Sequence, residues 1–228
     1  VILWGLWAWH VILFIRPEKL GKYLIDSLKQ GPLHPDRLLR AIPVLIAIIA
    51  MLSVFTSMKS IIPEFNPYSW DRIFANADNF LHGGHEPWSM LHPLFGYPLV
   101  TEAINLIYNA WLIVVYAVLV WQMFAGNPEQ LRMRFFYTFV LSWIVNGTIL
   151  ATLLSSAGPC FFEGVTGSDR FMPLMDYLAG ASHTGEPLWA LRAQEYIWNN
   201  YAQGITNLGT GISAMPSVHV STAFLIML

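Results

Sequence analysis

The sequence predicts an all-α fold, a polytopic bundle of transmembrane helices with interfacial helices in its outer loops. Composition is the first reason: 55% of residues are hydrophobic, 14% aromatic and only 11% charged, against about 25% charged in an average soluble domain. The second reason is a set of apolar stretches close to the ~20 residues a helix needs to cross the hydrocarbon core with its backbone polar groups satisfied internally. The third is the uneven placement of lysine and arginine between successive connections.

The expected spans run over residues 1–15, 41–62, 99–124 and 135–154, and a fifth opens at Ser217 with an apolar run to Leu228. The chain starts at Val1 inside one apolar run and stops at Leu228 inside another. It therefore reads as a single transmembrane domain, 1–228, truncated at both ends and with six or so spans when complete. Arg16, Lys19, Lys22, Lys29, Arg37 and Arg40 follow the first span, and Arg132 and Arg134 follow the third. By the positive-inside rule these connections face the cytoplasm, and residues 63–98 and 155–216 face outward. The outward segments are rich in Trp, Pro, Gly and His, as in His82-Gly83-Gly84-His85-Glu86-Pro87-Trp88. Rings with a polar tip favour the headgroup layer, so these loops are expected to lie on the membrane, with a surface helix over 188–201.

Net charge of −2 suggests no nucleic-acid partner. The single cysteine, Cys160, excludes an internal disulfide framework and reads as a packing residue. His82, His85 and His92 cluster in one loop, but with no cysteine and no regular helical register among them no metal is expected. Glu102, Asn105 and Asn109 share one face of the third span and read as interhelical hydrogen-bonding groups or, as the alternative, substrate contacts.

The strongest chemical signal is Ser213-Ala214-Met215-Pro216-Ser217-Val218-His219, where an outer loop turns into an apolar helix. A helix N-terminus presents unsatisfied N–H groups and positive dipole charge to an anion. Ser217 adds a hydroxyl there, for the cap or for a phosphate oxygen. His219 brings an imidazole able to protonate a leaving alkoxide near neutral pH. The same residues also suit a plain helix start with an interfacial histidine.

Pro216-Ser217-Val218-His219 resembles the middle signature, usually Pro-Ser-Gly-His, of the type 2 phosphatidic acid phosphatase (PAP2) superfamily. The longer run from Ser213 is more similar to the branch of the aureobasidin-resistance protein, the inositol phosphorylceramide synthase. Ser155-Ser156-Ala157-Gly158-Pro159, and the pattern from Asp78 through Leu81-His82 and Gly84 to Pro87-Trp88, resemble bacterial members of that branch. The usual first signature, Lys followed six residues later by Arg-Pro, is absent, and no lysine follows Lys59.

The resemblance implies an enzyme: a lipid phosphatase or an inositolphosphotransferase-like phosphotransferase acting on phospholipid or phosphosphingolipid headgroups through a phosphohistidine. It implies His219 as proton donor, Ser217 as a phosphate-binding residue, no cofactor and no metal, with the nucleophilic histidine and its aspartate beyond Leu228, so that the fragment alone is inactive. Arg170 and Arg192 are the outer cations between the fourth span and Pro216, and each is a candidate phosphate donor or a headgroup-facing arginine. The expected partners are a lipid phosphate or phosphodiester and the bilayer. The expected location is a multi-pass membrane protein with an extracytoplasmic active site, in a bacterial inner membrane. The alternatives from other classes are a membrane transporter and a non-catalytic scaffold of the same architecture.

Overall fold

The computed structural model describes residues 9, 11–15, 17, 19–30, 34–125, 128–181, 188–205 and 209–228. Most of the expected first span, and with it Arg16 and the outer-loop His183, lies outside the described residues. Within that span Val11–Ile15 form a π-helical turn. The rest is a succession of helices: α1 (Leu20–Gln30), α2 (Pro35–Phe65), α3 (Asp71–Leu81), α4 (Pro87–Phe95), α5 (Pro98–Phe124), α6 (Glu129–Leu153), α7 (Phe162–Thr166), α8 (Met172–Gly180), α9 (Trp189–Ala202) and α10 (Val218–Met227). Among the described residues there is no strand, in keeping with the all-α expectation.

Three of these helices, α2, α5 and α6, are long and apolar enough to cross a membrane. They contain the expected spans at 41–62 and 99–124 and all but the last residue of 135–154, and α10 is a shorter apolar helix. Helix α2 starts six residues before its apolar run because Pro35 suits a first helical position and Asp36 complements the positive helix end. Only 11% of the apolar window of α2 and of α5 is buried inside the protein. Leu39, Ile42, Leu45, Ile46 and Ile49 all point outward, an arrangement that water would penalise and lipid accepts. The protein is an integral membrane protein.

The chain divides into two compact units, residues 1–50 with 112–138, and residues 51–111 with 139–228. In the first unit Val115, Leu119 and Met123 are buried at successive four-residue steps, one stripe of α5. In the second unit the short helices close around two apolar clusters. One cluster joins Tyr68, Ala157 and Ile212 with Phe161, Ile197 and Trp198. Another joins Ala75, Phe162 and Phe171 with Trp88.

Also in the second unit, α6 widens into π-helical turns over Val145–Leu150. This stretch carries Asn146 and Gly147, and both meet other helices. Asn146 Nδ2 donates to Ser221 Oγ of α10 at 2.8 Å. A Cβ on Gly147 would stand 2.5 Å from the Phe55 ring and 3.1 Å from Val218. Phe55 is itself packed edge-on against Trp143 at 4.7 Å, so it has little room to yield. Gly147→Ala is expected to overpack this junction at a cost of about 1–3 kcal/mol. Thermal unfolding of the detergent-purified protein checks this, and an unchanged midpoint would show that α6, α2 and α10 do not meet this closely.

Candidate active site

The candidate site is assembled in the second unit around a buried carboxylate. Asp71, at the start of α3, is 3% exposed. Its Oδ1 accepts from Ser156 Oγ at 2.8 Å and from the Gly158 N–H at 2.8 Å, and its Oδ2 accepts from the Ala157 N–H at 2.9 Å. The Trp70 N–H donates to the Ser155 carbonyl at 3.2 Å, tying the two segments a second time. An ionised carboxylate with three donors is a strong hydrogen-bond acceptor in a low-dielectric surround. This explains the Ser155-Ser156-Ala157-Gly158 sequence: a hydroxyl, two backbone N–H groups, and a glycine to make the turn.

That segment in turn holds the loop that starts α10. The Ala214 N–H donates to the Ser156 carbonyl at 2.9 Å. Gly158 has φ +88, and a Cβ there would meet the Ala214 Cβ at 2.8 Å, so glycine is required twice over. Gly211 lies against the backbone of α2, where a Cβ would come within 2.6 Å of the Lys59 carbonyl carbon and 2.7 Å of the Ser60 nitrogen. The run from Gly211 to Ser217 is thereby fixed between α2 and the Asp71 segment.

Ser217 is the N-cap of α10, and its Oγ accepts from the Val220 N–H at 3.3 Å. An accepting hydroxyl keeps its own hydrogen, so the cap leaves Ser217 able to donate to an anion. His219 follows in the first turn with an exposed side chain. Its ring stacks on Tyr108 of α5, centroids 5.2 Å apart and planes at 22°. Lys59 is half-buried and lies within electrostatic reach of His219.

Lys59 and Tyr108 escaped the sequence reading as site residues. A signal for Lys59 was present, since it is the one charged residue of the apolar run 41–62, and an ionisable residue in such a run is a functional candidate. Six residues separate Lys59 from Asn66-Pro67, the spacing of the usual first signature with asparagine in place of arginine. Asn66 does not act like a phosphate-facing arginine here. Its Nδ2 donates to the carbonyls of Thr152 and Leu153 at 2.8 and 3.2 Å, closing the end of α6. No signal in the sequence pairs Tyr108 with His219.

Arg170 stands at a structural junction. Its Nε donates to Glu86 Oε1 at 2.8 Å, and Nη2 forms an ion pair with the same oxygen at 2.6 Å. Its Nη1 reaches Asn76 Oδ1 at 2.8 Å, and Nη2 also donates to the Ala75 carbonyl at 2.7 Å. The guanidinium therefore binds α3 to the loop before α4. Arg192 lies on the exposed face of α9. Asn105 accepts from the Ala190 N–H at 3.2 Å and from Asn109 Nδ2, a contact between α5 and the start of α9.

The loop histidines have separate neighbours: His82 Nδ1 lies 2.7 Å from the Asp78 carbonyl, and His92 packs edge-on to Tyr177 at 4.6 Å. Among the described residues no group of three or more His, Cys, Asp or Glu is placed to hold a metal ion.

A cavity of about 180 Å3 adjoins Gly211, lined in part by Ser60, Tyr68 and Thr210. Burial, with Tyr201 and Asp71 nearby, pushes the Tyr68 hydroxyl well above the usual tyrosine range. Its oxygen has no hydrogen-bond partner among the described residues, so it is a protonated group with unused capacity beside the site.

The profile of the PAP2 superfamily matches residues 72–228, more than half of the chain and including Ser217 and His219. The chain belongs to the PAP2 superfamily. Neither the curated proteins nor the solved structures gave a match. Members of this superfamily are in general phosphatases and phosphotransferases, which supports a phosphatase-type lipid function. Lys59 and Asp71 both precede the matched segment.

Two expectations follow. Asp71→Asn sets an amide N–H2 against N–H donors in a buried place and is expected to destabilise the protein by about 2–4 kcal/mol; an unfolding midpoint within a degree of wild type would show the carboxylate is not the brace. Burial pushes the Cys160 thiol up to about 11. The thiolate is the nucleophile, so alkylation of Cys160 by iodoacetamide should stay slow at pH 8 and rise only as pH approaches that value. Rapid labelling at pH 8, read by mass spectrometry, would contradict it.

Proposed function

We propose that the full-length protein is a membrane lipid phosphatase or phosphotransferase that acts on phospholipid or phosphosphingolipid headgroups through a phosphohistidine intermediate. The carrying observation is the placement of Ser217 and His219 at a loop-to-helix turn that is held by the Asp71 segment and by Gly211, itself packed on the Lys59 backbone. An imidazole at the mouth of an apolar helix, beside a capping hydroxyl and within electrostatic reach of a lysine, fits a phosphoryl group on its way to or from an alcohol oxygen.

Phosphoryl transfer asks mainly for positioned positive charge and hydrogen-bond donors around the developing phosphorane, and for a proton at the leaving oxygen. Lys59 supplies the ammonium and Ser217 the O–H donor to non-bridging oxygens. The attacking imidazole comes from the superfamily's later signature. As its nitrogen bonds to phosphorus, the bond to the lipid alcohol breaks, and protonated His219 gives that alkoxide its proton. Neutral His219 then takes the proton of the incoming acceptor, whose oxygen attacks phosphorus and frees the nucleophile. Water as acceptor gives a phosphatase. A polyol or ceramide hydroxyl gives an inositolphosphotransferase-like transferase.

Tyr108 positions His219 by stacking, which limits the imidazole to a narrow range of orientations. Arg170 supports this site through the Glu86 junction, because its donors are engaged there. The lysine and arginine bias favours an extracytoplasmic site, and the bacterial-like loop motifs favour an inner membrane.

The test is release of labelled phosphate and exchange of headgroups from lipid phosphates and phosphodiesters by the full-length protein in membranes, with and without inositol. His219→Ala is expected to lower turnover at least ~10²-fold, the contribution of a general acid. Lys59→Gln is expected to reduce turnover as well, through loss of a charged donor to the phosphoryl oxygens. Dependence on inositol separates transferase from phosphatase. Turnover unchanged in His219→Ala would remove the histidine from the mechanism.

A further inference from the structure

The first unit contains a second polar feature that the proposed chemistry does not use. It is a cavity of about 230 Å3 lined in part by His34, Asp36, Arg37, Arg40, Glu129 and Arg132. Arg132 is only 6% exposed. Its Nη1 donates to the Met123 carbonyl at 3.3 Å, and Arg37 Nη1 donates to the Phe124 carbonyl at 3.2 Å. Those carbonyls belong to the last turn of α5, where arginine is a natural cap.

The caps do not exhaust these side chains. A guanidinium carries five N–H donors in a fixed fork, and no capping bond neutralises its charge. Both lining carboxylates are nearby, yet among the described residues no arginine of the cavity forms an ion pair with either of them within 4 Å. Asp36 instead lies 3.6 Å from His34 Nδ1. A buried arginine without an anion is costly in any protein, and more so beside a bilayer. The cavity walls also include the first turns of α2 and α6, helix ends with partial positive charge.

We infer that this cavity binds the phosphate group of an anionic ligand, held by Arg37, Arg40 and Arg132. The shared chemistry is a phosphate monoester or diester, delivered by the headgroup of an anionic phospholipid or by free phosphate. Basic pockets between membrane helices suit such headgroups because guanidinium forks match phosphate oxygens in pairs. The site belongs to the first unit, whereas Lys59, Ser217 and His219 belong to the second. The inference therefore stands or falls independently of the proposed catalysis.

The test uses detergent-purified full-length protein and follows thermal unfolding on titration with dihexanoyl phosphatidylglycerol, dihexanoyl phosphatidylcholine and inorganic phosphate. Phosphatidylglycerol is expected to raise the midpoint. Arg40→Gln, an exposed position, should weaken the apparent affinity about tenfold, the loss of one charge-assisted contact. Arg132→Gln should weaken it further, and if that variant does not fold, Arg40→Gln decides alone.

The part of the stabilisation that Arg40→Gln removes is expected to persist in Lys59→Gln, whatever the catalytic site adds, which separates this cavity from the catalytic one. Stabilisation by phosphatidylglycerol alone assigns a lipid headgroup, and stabilisation by inorganic phosphate as well assigns the phosphate group itself; both support the site. Equal stabilisation by phosphatidylcholine, no stabilisation by any phosphate probe, or a wild-type titration by Arg40→Gln would each overturn it.

Discussion

One buried carboxylate organises the second unit of this protein. Asp71 takes three hydrogen bonds from Ser156, Ala157 and Gly158, and the same segment accepts the Ala214 N–H and lies against the Ala214 side chain. Through that chain of contacts a loop before α10 acquires a defined path. Without the brace, three donors would be left in a place where water does not reach, a penalty of about 1–3 kcal/mol for each. The position of His219 is thus tied to a carboxylate many residues away in the chain.

The architecture separates two kinds of packing. The long helices turn most of their apolar surface outward, because lipid makes no demand that leucine and isoleucine be hidden. The short helices of the second unit obey the opposite rule and close around Tyr68, Ala157, Ile212, Phe162 and Phe171. The second kind of packing holds the loop before α10 in a fixed path. The polar residues that matter stand at joints of these elements: Asn66 at the end of α6, Asn146 between α6 and α10, and Arg170 between α3 and the loop before α4.

The all-α membrane fold was legible because hydropathy acts over about 20 residues and needs no knowledge of partners. The turn at Pro216 to His219 was legible because a cap, an imidazole and an apolar helix follow each other directly in the chain. Lys59 was less so, since its meaning depends on Gly211, which is far from it in sequence and in contact with its backbone. Arg170 shows the reverse case. A lone outer arginine suits phosphate, and only its neighbours Glu86, Asn76 and the Ala75 carbonyl reveal how fully its donors are engaged.

By itself the sequence determined where the chain meets lipid, that it is helical, and that a PAP2-type serine and histidine open a helix, because each depends on residues adjacent in the chain. Only the tertiary structure decided which charges gather. It set the Tyr108 ring on His219, the Lys59 backbone against Gly211, Asp71 beneath the Ser156–Gly158 turn, and three arginines around one cavity of the first unit. The reason is physical: electrostatic and hydrogen-bonding partnerships act over a few ångströms of space, and distance along the chain carries almost no information about them.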